Sequence, residues 1–159
     1  MSVAGAGCPG VWTVKRLLWL LLSTAVLLAI LNLPIGKWPS GTRAYEMAAV
    51  RNLHRINIAQ IDYYLKYGRY ALSLSELGPP ANDAVASNTS ADLIPDELSK
   101  GSRSGYLYNM SATPDGYTAN ANPQDCEVTA TRAFYTDETN VIRNRFRCEP
   151  ASVLDPEIN

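Results

Sequence analysis

Residues whose types could carry catalysis are few and scattered in this sequence. The single histidine, His54, lies alone among apolar residues, which is typical of a surface or packing residue rather than a metal ligand or a general base. Three serines lie in turn-like segments without a G-x-S-x-G nucleophile motif: Ser73, Ser75 and Ser111. The pattern therefore predicts no catalytic residues, no cofactor and no small-molecule substrate.

Acidic residues near predicted turns raise one metal hypothesis. They are Asp115, Asp125, Asp137 and Glu138. Oxygen ligands from one or two loops can hold calcium, but these acids do not have EF-hand-like spacing. We therefore expect these four acidic residues to lie in solvent-exposed turns and to bind no metal.

Composition sets the class of protein and of partner. The 159 residues suit one domain with one appendage. Lysine and arginine together number 14 and the acids 15, which gives a net charge of -1 without a polybasic segment. Nucleic acid is therefore not an expected partner.

Residues 17–35 form an uncharged apolar run, LLWLLLSTAVLLAILNLPI. As a helix these roughly 19 residues extend about 28 Å, close to the thickness of a bilayer core. Lys15 and Arg16 precede the run and favour a cytoplasmic N-terminus. We predict a cytoplasmic segment over residues 1–16, a transmembrane helix over 17–35 and a head over 36–159.

Other interpretations of this region stay open. A cleaved signal peptide normally has a shorter apolar core and an A-x-A site soon after it. Lipid attachment at Cys8 would require an apolar segment before that residue, so Cys8 is interpreted as an unpaired cytoplasmic thiol. Pro34, Pro39 and Gly41 allow either a kink or a break before the next helix.

A helix is predicted over residues 43–67, which contain no proline or glycine. At 100° per residue, four charged side chains fall within a strip about 60° wide: Arg51, Arg55, Asp62 and Lys66. Apolar groups cover most of the remaining circumference, so we expect the domain core on one side and partner helices on the other, with deep burial in a single core as the alternative. The predicted partner-helix contact consists of Met47, Val50, Ile58, Ile61 and Leu65.

The sequence after this helix predicts a polar connection over residues 71–100 and a sheet over about 105–147. Period-2 alternation and turn residues indicate two hairpins of an antiparallel meander. The four predicted strands are 105–111, 117–121, 131–136 and 141–147.

The last predicted strand alternates between apolar residues and arginines. Ile142 and Phe146 would face the core. The opposite face, with Arg143, Arg145 and Arg147, would lie in solvent or contact an anionic partner.

Cys126 and Cys148 flank neighbouring ends of the second predicted hairpin. A disulfide between them would close a loop of roughly 23 residues and stabilise the fold by about 3 kcal/mol. Disulfides persist outside the cytoplasm, in agreement with a cytoplasmic N-terminus and an exported head. Two free thiols are the alternative.

This order of elements resembles type IV pilins and the pseudopilins of type II secretion. Three blocks are similar to pilin-like proteins in local sequence: AAVRNLHRINIAQIDYYLKYGRYALSLSELG (48–78), ADLIPDELSKGSRSGYLYNM (91–110) and RAFYTDETNVIR (132–143). The resemblance implies an α+β fold, with an N-terminal transmembrane helix that continues or kinks into a long amphipathic helix packed on a four-stranded antiparallel sheet. The cysteine pair also resembles the C-terminal bridge of many pilins.

The resemblance implies a membrane-anchored, non-catalytic structural or assembly component of a type IV pilus or type II secretion-like system. Its expected location is the bacterial inner membrane, crossed once, with a periplasmic or extracellular head. Expected partners are membrane lipid, through residues 17–35, and other pilin-like subunits or assembly-platform proteins.

The N-terminus departs from the family pattern. Pilin precursors carry a glycine at the cleavage site and then a short apolar stretch that ends in a glutamate. Gly10 is the candidate processing site, but Lys15 then occupies the glutamate position, and counting back from Pro34 places Leu17 there. The alternative function is therefore a stand-alone tethered binding or regulatory module that uses a pilin-like head outside a filament.

Overall fold

The computed structural model describes residues 40–113 and 115–158, which form an antiparallel sheet and its covering helices. The helices are α1 (Ser40–Tyr67), α2 (Leu74–Leu77) and α3 (Asp96–Ser99), with a 3-10 turn at Ala81–Asp83. The strands are β1 (Ser102–Arg103), β2 (Tyr106–Thr113), β3 (Gly116–Pro123), β4 (Arg132–Asp137) and β5 (Arg143–Phe146). They pair in the order β1-β2-β3-β4-β5.

The predicted four-stranded sheet is wrong, because the sheet has five strands. The additional strand β1 pairs with the start of β2, with Arg103 opposite Tyr106. Ser104 and Gly105 connect these strands and both have positive φ, 51° and 74°, as a tight two-residue hairpin turn requires. A strand of two residues is too short to display the alternation from which the other strands were predicted.

The transmembrane helix predicted over residues 17–35 lies outside the described residues. Within residues 40–113 and 115–158, no helix has both the length and the apolar character needed to cross a bilayer. The segment over 1–16, which was predicted to be cytoplasmic, and the junction at Pro34 lie outside the described residues as well.

Helix α1 extends over 28 residues and packs against β3 and β4. Its buried side includes Leu53, Ile56 and Tyr63, which share a core with Tyr106 and Phe134 of the sheet. The helix ends where Gly68, with φ of 73°, donates its N–H to the Tyr64 carbonyl at 2.8 Å. A residue without Cβ adopts this left-handed conformation at the lowest cost.

The connection over 71–100 is more ordered than a polar loop. It contains α2, the 3-10 turn and α3, and its apolar side chains Leu77 and Leu98 are inaccessible to solvent. The Leu93 N–H donates to the Leu77 carbonyl at 2.8 Å. Packing of these leucines therefore fixes a segment whose composition indicates only a loop.

The C-terminal segment covers the β5 edge of the sheet. The Asn144 N–H donates to the Pro156 carbonyl at 2.9 Å, and the Ile158 N–H donates to the Ile142 carbonyl at 3.0 Å. Arg143 also pairs with Glu157 at 3.2 Å. The arginine face of the last strand is therefore partly occupied by acids of this chain.

The prediction that Phe146 faces the core is wrong. Ile142 is buried, but Phe146 is 63% exposed. It is the last residue of β5, and the Arg132 guanidinium lies 5.7 Å from its ring centroid. Period-2 alternation predicts which side a residue faces but does not predict whether the core extends that far.

Candidate functional site

The most prominent candidate surface is a row of exposed apolar side chains along α1, which we call the apolar stripe: Met47, Val50, Ile58, Ile61 and Leu65. Leu65 is 79% exposed, Ile58 60%, Met47 53% and Ile61 44%, while Val50 is partly buried. Successive stripe residues are three, eight, three and four positions apart in the sequence, and each of these spacings keeps side chains on one face of a helix. From Met47 to Leu65 it extends roughly 27 Å.

Charged residues border the stripe on one side. Arg51, Arg55 and Asp62 are exposed there, and His54 is exposed within the stripe. A long apolar surface with a polar border is typical of a protein contact rather than of a substrate cleft. Contact of the stripe with a partner helix stays a prediction.

Hydrogen bonds from buried polar side chains of α1 fix how the helix is rotated on the sheet. The Asn52 amide donates to the Tyr108 hydroxyl at 3.0 Å. The Asn57 amide donates to Thr136 Oγ1 at 3.0 Å and accepts from the Tyr117 hydroxyl at 3.0 Å. These buried bonds hold the stripe outward, because any other rotation would leave their polar groups without partners.

Gln60 is a further buried polar residue of α1, near the end of the helix. Its side-chain amide donates to the Ala71 carbonyl at 3.0 Å and accepts from the Ala71 N–H at 2.8 Å. Sequence reasoning missed Asn52, Asn57 and Gln60 as positioning residues. The available signal was that they are uncharged polar residues interleaved with the buried apolar arc of a helix.

An ion pair between a buried carboxylate and a partly buried guanidinium fastens the beginning of α1 to β4. Glu46 Oε2 accepts from Arg132 Nε at 2.8 Å and lies 2.7 Å from Arg132 Nη2. Glu46 Oε1 accepts from the Thr131 N–H at 3.3 Å and from the Thr131 hydroxyl at 3.2 Å. The Glu46 side chain is only 8% exposed, so its charge is compensated almost entirely by protein groups.

A second polar cluster fastens the other end of α1. The Tyr63 hydroxyl donates to Glu76 Oε2 at 3.1 Å, and Arg69 Nη1 donates to the same oxygen at 2.9 Å. Burial raises the pKa of Tyr63 to about 12, and the neighbouring Glu76 carboxylate acts in the same direction. Burial opposes ionisation of Glu76, but hydrogen bonds from Arg69, the Leu72 N–H and Tyr63 lower its pKa.

The structure contains the predicted disulfide between Cys126 and Cys148, with a Cα–Cα distance of 5.8 Å. It ties the segment before β4 to the segment after β5. The adjoining residues Glu127 and Arg147 have positive φ of 63° and 66°, so the chain turns sharply at both ends of the bridge. The bridge therefore restrains two irregular segments.

The other residue types considered for chemistry are separated. Ser73 and Ser75 hydrogen-bond to each other at 2.8 Å across a turn. Asp137 accepts from the Thr139 N–H at 3.0 Å in the turn after β4. Within the described parts of the chain, no group of three or more His, Cys, Asp or Glu residues is arranged to hold a metal ion.

Two sequence predictions cannot be placed on this structure. Gly10, the candidate processing site, and the lipid-contacting run over 17–35 lie outside the described residues. Comparisons with protein-family models, with curated proteins and with solved structures found no match.

Proposed function

We propose that this chain is a membrane-anchored, pilin-like structural or assembly component of a type IV pilus or type II secretion-like system, without a catalytic role. The observation that carries the proposal is the apolar stripe on α1. Exposed apolar side chains along roughly 27 Å of one helix are typical of a surface that another protein covers. The partner in this proposal is a helix of another pilin-like subunit or of an assembly-platform protein.

The proposed location is the bacterial inner membrane, with the head on the periplasmic or extracellular side. The Cys126–Cys148 bridge supports an oxidising compartment for the head. Anchoring depends on the uncharged run over 17–35, and Lys15 and Arg16 before it favour a cytoplasmic N-terminus.

A second candidate function is a stand-alone tethered module that binds or regulates a partner outside a filament. It is favoured by Lys15, which stands where the pilin pattern has a glutamate. Mass spectrometry of the mature N-terminus separates the two candidates. Cleavage after Gly10 supports the filament component, whereas an intact chain that retains Cys8 supports the permanent tether.

The stripe is tested by placing a charge in it. Ile61→Asp and Leu65→Asp should fold normally, because these side chains are 44% and 79% exposed. Both should reduce crosslinking to partner subunits in the native membrane by at least about tenfold, since a carboxylate buried in an apolar interface is not compensated. Leu107→Asp is the matched control, because Leu107 is 47% exposed on β2 and lies outside the stripe.

Thermal unfolding of each variant separates lost association from lost folding. The proposal requires unfolding temperatures close to that of the parent chain and crosslinking that fails only in the stripe variants. Crosslinking that persists in Ile61→Asp and Leu65→Asp would refute the stripe as the contact surface.

A further inference from the structure

A groove between the beginning of α1, strand β4 and the C-terminal segment has the shape of a small-ligand site. Its volume is about 350 Å³. Apolar side chains form most of its lining: Met47, Val50, Phe134 and Ile158. At about 30 Å³ per water-sized group, this space holds about a dozen non-hydrogen atoms.

The charges at the groove favour an anion. Glu46 and Arg132 line it but neutralise each other, with Glu46 Oε2 only 2.7 Å from Arg132 Nη2. Arg51 also lines the groove and is exposed, and it forms no ion pair with any other residue in the described part of the chain. Among the described residues, the groove therefore presents one guanidinium without an acidic partner, beside an apolar lining.

The backbone around the groove favours a hydrocarbon ligand over a peptide. Strand β4 is paired on one edge with β3 and on the other with β5. The Ile158 N–H is already donated to the Ile142 carbonyl at 3.0 Å. A bound peptide would find few backbone partners here, whereas an alkyl chain needs none.

We propose that this groove binds a small amphipathic carboxylate, with a chain of about eight to ten carbons against Met47, Val50 and Ile158 and its carboxylate beside Arg51. Guanidinium groups match the geometry of carboxylates and can donate two parallel hydrogen bonds to them. Met47 and Val50 belong to both the stripe and the groove, whereas Ile58, Ile61 and Leu65 do not line the groove, so variants of these last three residues test the stripe without changing the groove.

The test uses the full chain in phosphatidylcholine nanodiscs, with ¹³C-labelled isoleucine methyl groups observed by NMR. The Ile158 signal is identified by its loss in Ile158→Val. Decanoate is titrated against decan-1-ol, which has the same chain without the charge. Arg51→Gln is the test variant, and Arg55→Gln is the matched control because Arg55 is an exposed arginine of the same helix that does not line the groove.

Decanoate should shift the Ile158 signal saturably and bind about fivefold more tightly than decanol, as expected for one partly exposed ion pair. Arg51→Gln should abolish this preference, and Arg55→Gln should retain it. Partition of decanoate into the lipid is the same for both variants, so it cannot produce a difference between them.

Three results would overturn the proposal. The first is a shift of the Ile158 signal that grows without saturation. The second is equal affinity of Arg51→Gln and Arg55→Gln for decanoate. The third is tighter binding of a short apolar peptide with a free C-terminal carboxylate, which would identify the groove as a peptide site. Ile61→Asp should leave decanoate binding unchanged, so failure of the stripe and failure of the groove are distinguishable.

Discussion

The Glu46–Arg132 pair should be a main determinant of the stability of the head, and this can be measured. Glu46→Ala removes a carboxylate that is 8% exposed and accepts hydrogen bonds from both Arg132 and Thr131. Its loss leaves Arg132, whose side chain is 31% exposed, without its carboxylate partner. We expect the free energy of unfolding to fall by about 3 kcal/mol, at the lower end of the range for buried pairs.

The second variant of a double-mutant cycle, Arg132→Met, keeps most of the apolar stem but leaves the Glu46 carboxylate without its cation. We again expect a loss of about 3 kcal/mol. Because each single change also disables the other partner, the double variant should lose about 2 kcal/mol less than the two single losses combined.

Urea unfolding of the full chain in detergent micelles, followed by the near-ultraviolet circular dichroism of the tyrosines, gives the required free energies. Glu149→Ala is the control, because it breaks the Arg145–Glu149 pair, whose side chains are 44% and 60% exposed. That change should cost less than about 0.5 kcal/mol. A Glu46→Ala loss no larger than the control, or strictly additive losses in the cycle, would refute the role assigned to the buried pair.

Two further predictions concern the disulfide and pH. Replacing Cys126 and Cys148 by serine should lower the free energy of unfolding by about 3 kcal/mol, because the bridge closes a loop with a sequence separation of 22. In urea unfolding, a reductant should lower the stability of the parent chain by the same amount. A serine variant as stable as the parent chain would contradict the prediction. The Glu76 pKa lies below its ordinary value of 4.5 in the folded state, so its stabilisation is complete above that value and is lost as the pH falls through the folded pKa. Glu76→Gln should therefore unfold at a lower temperature than the parent at neutral pH, with the difference vanishing in acid; a difference that is constant with pH would exclude this linkage.

The sequence contains enough information to predict the long helix and the four longer strands. Apolar residues at helical spacing, without proline or glycine, indicate a helix over 43–67, and α1 occupies Ser40–Tyr67. Hairpins are predicted in a similar way, where two segments of alternating apolar and polar residues lie on either side of turn residues. Strand β1 could not be predicted in this way, because two residues are too few to show an alternation. Its pairing with β2 depends on the turn at Ser104 and Gly105.

For the candidate surfaces too, the sequence determined one part and the tertiary structure another. The sequence by itself determined that apolar side chains surround most of α1, which left open burial on two sides or deep burial in one core. Only the tertiary structure decided which arc faces outward, since that depends on where Asn57 and Gln60 find buried partners on other segments. It also decided that Arg51 lacks an ion-pair partner among the described residues while Arg132 has Glu46, because residues separated by 86 positions meet only when the helix lies on the sheet.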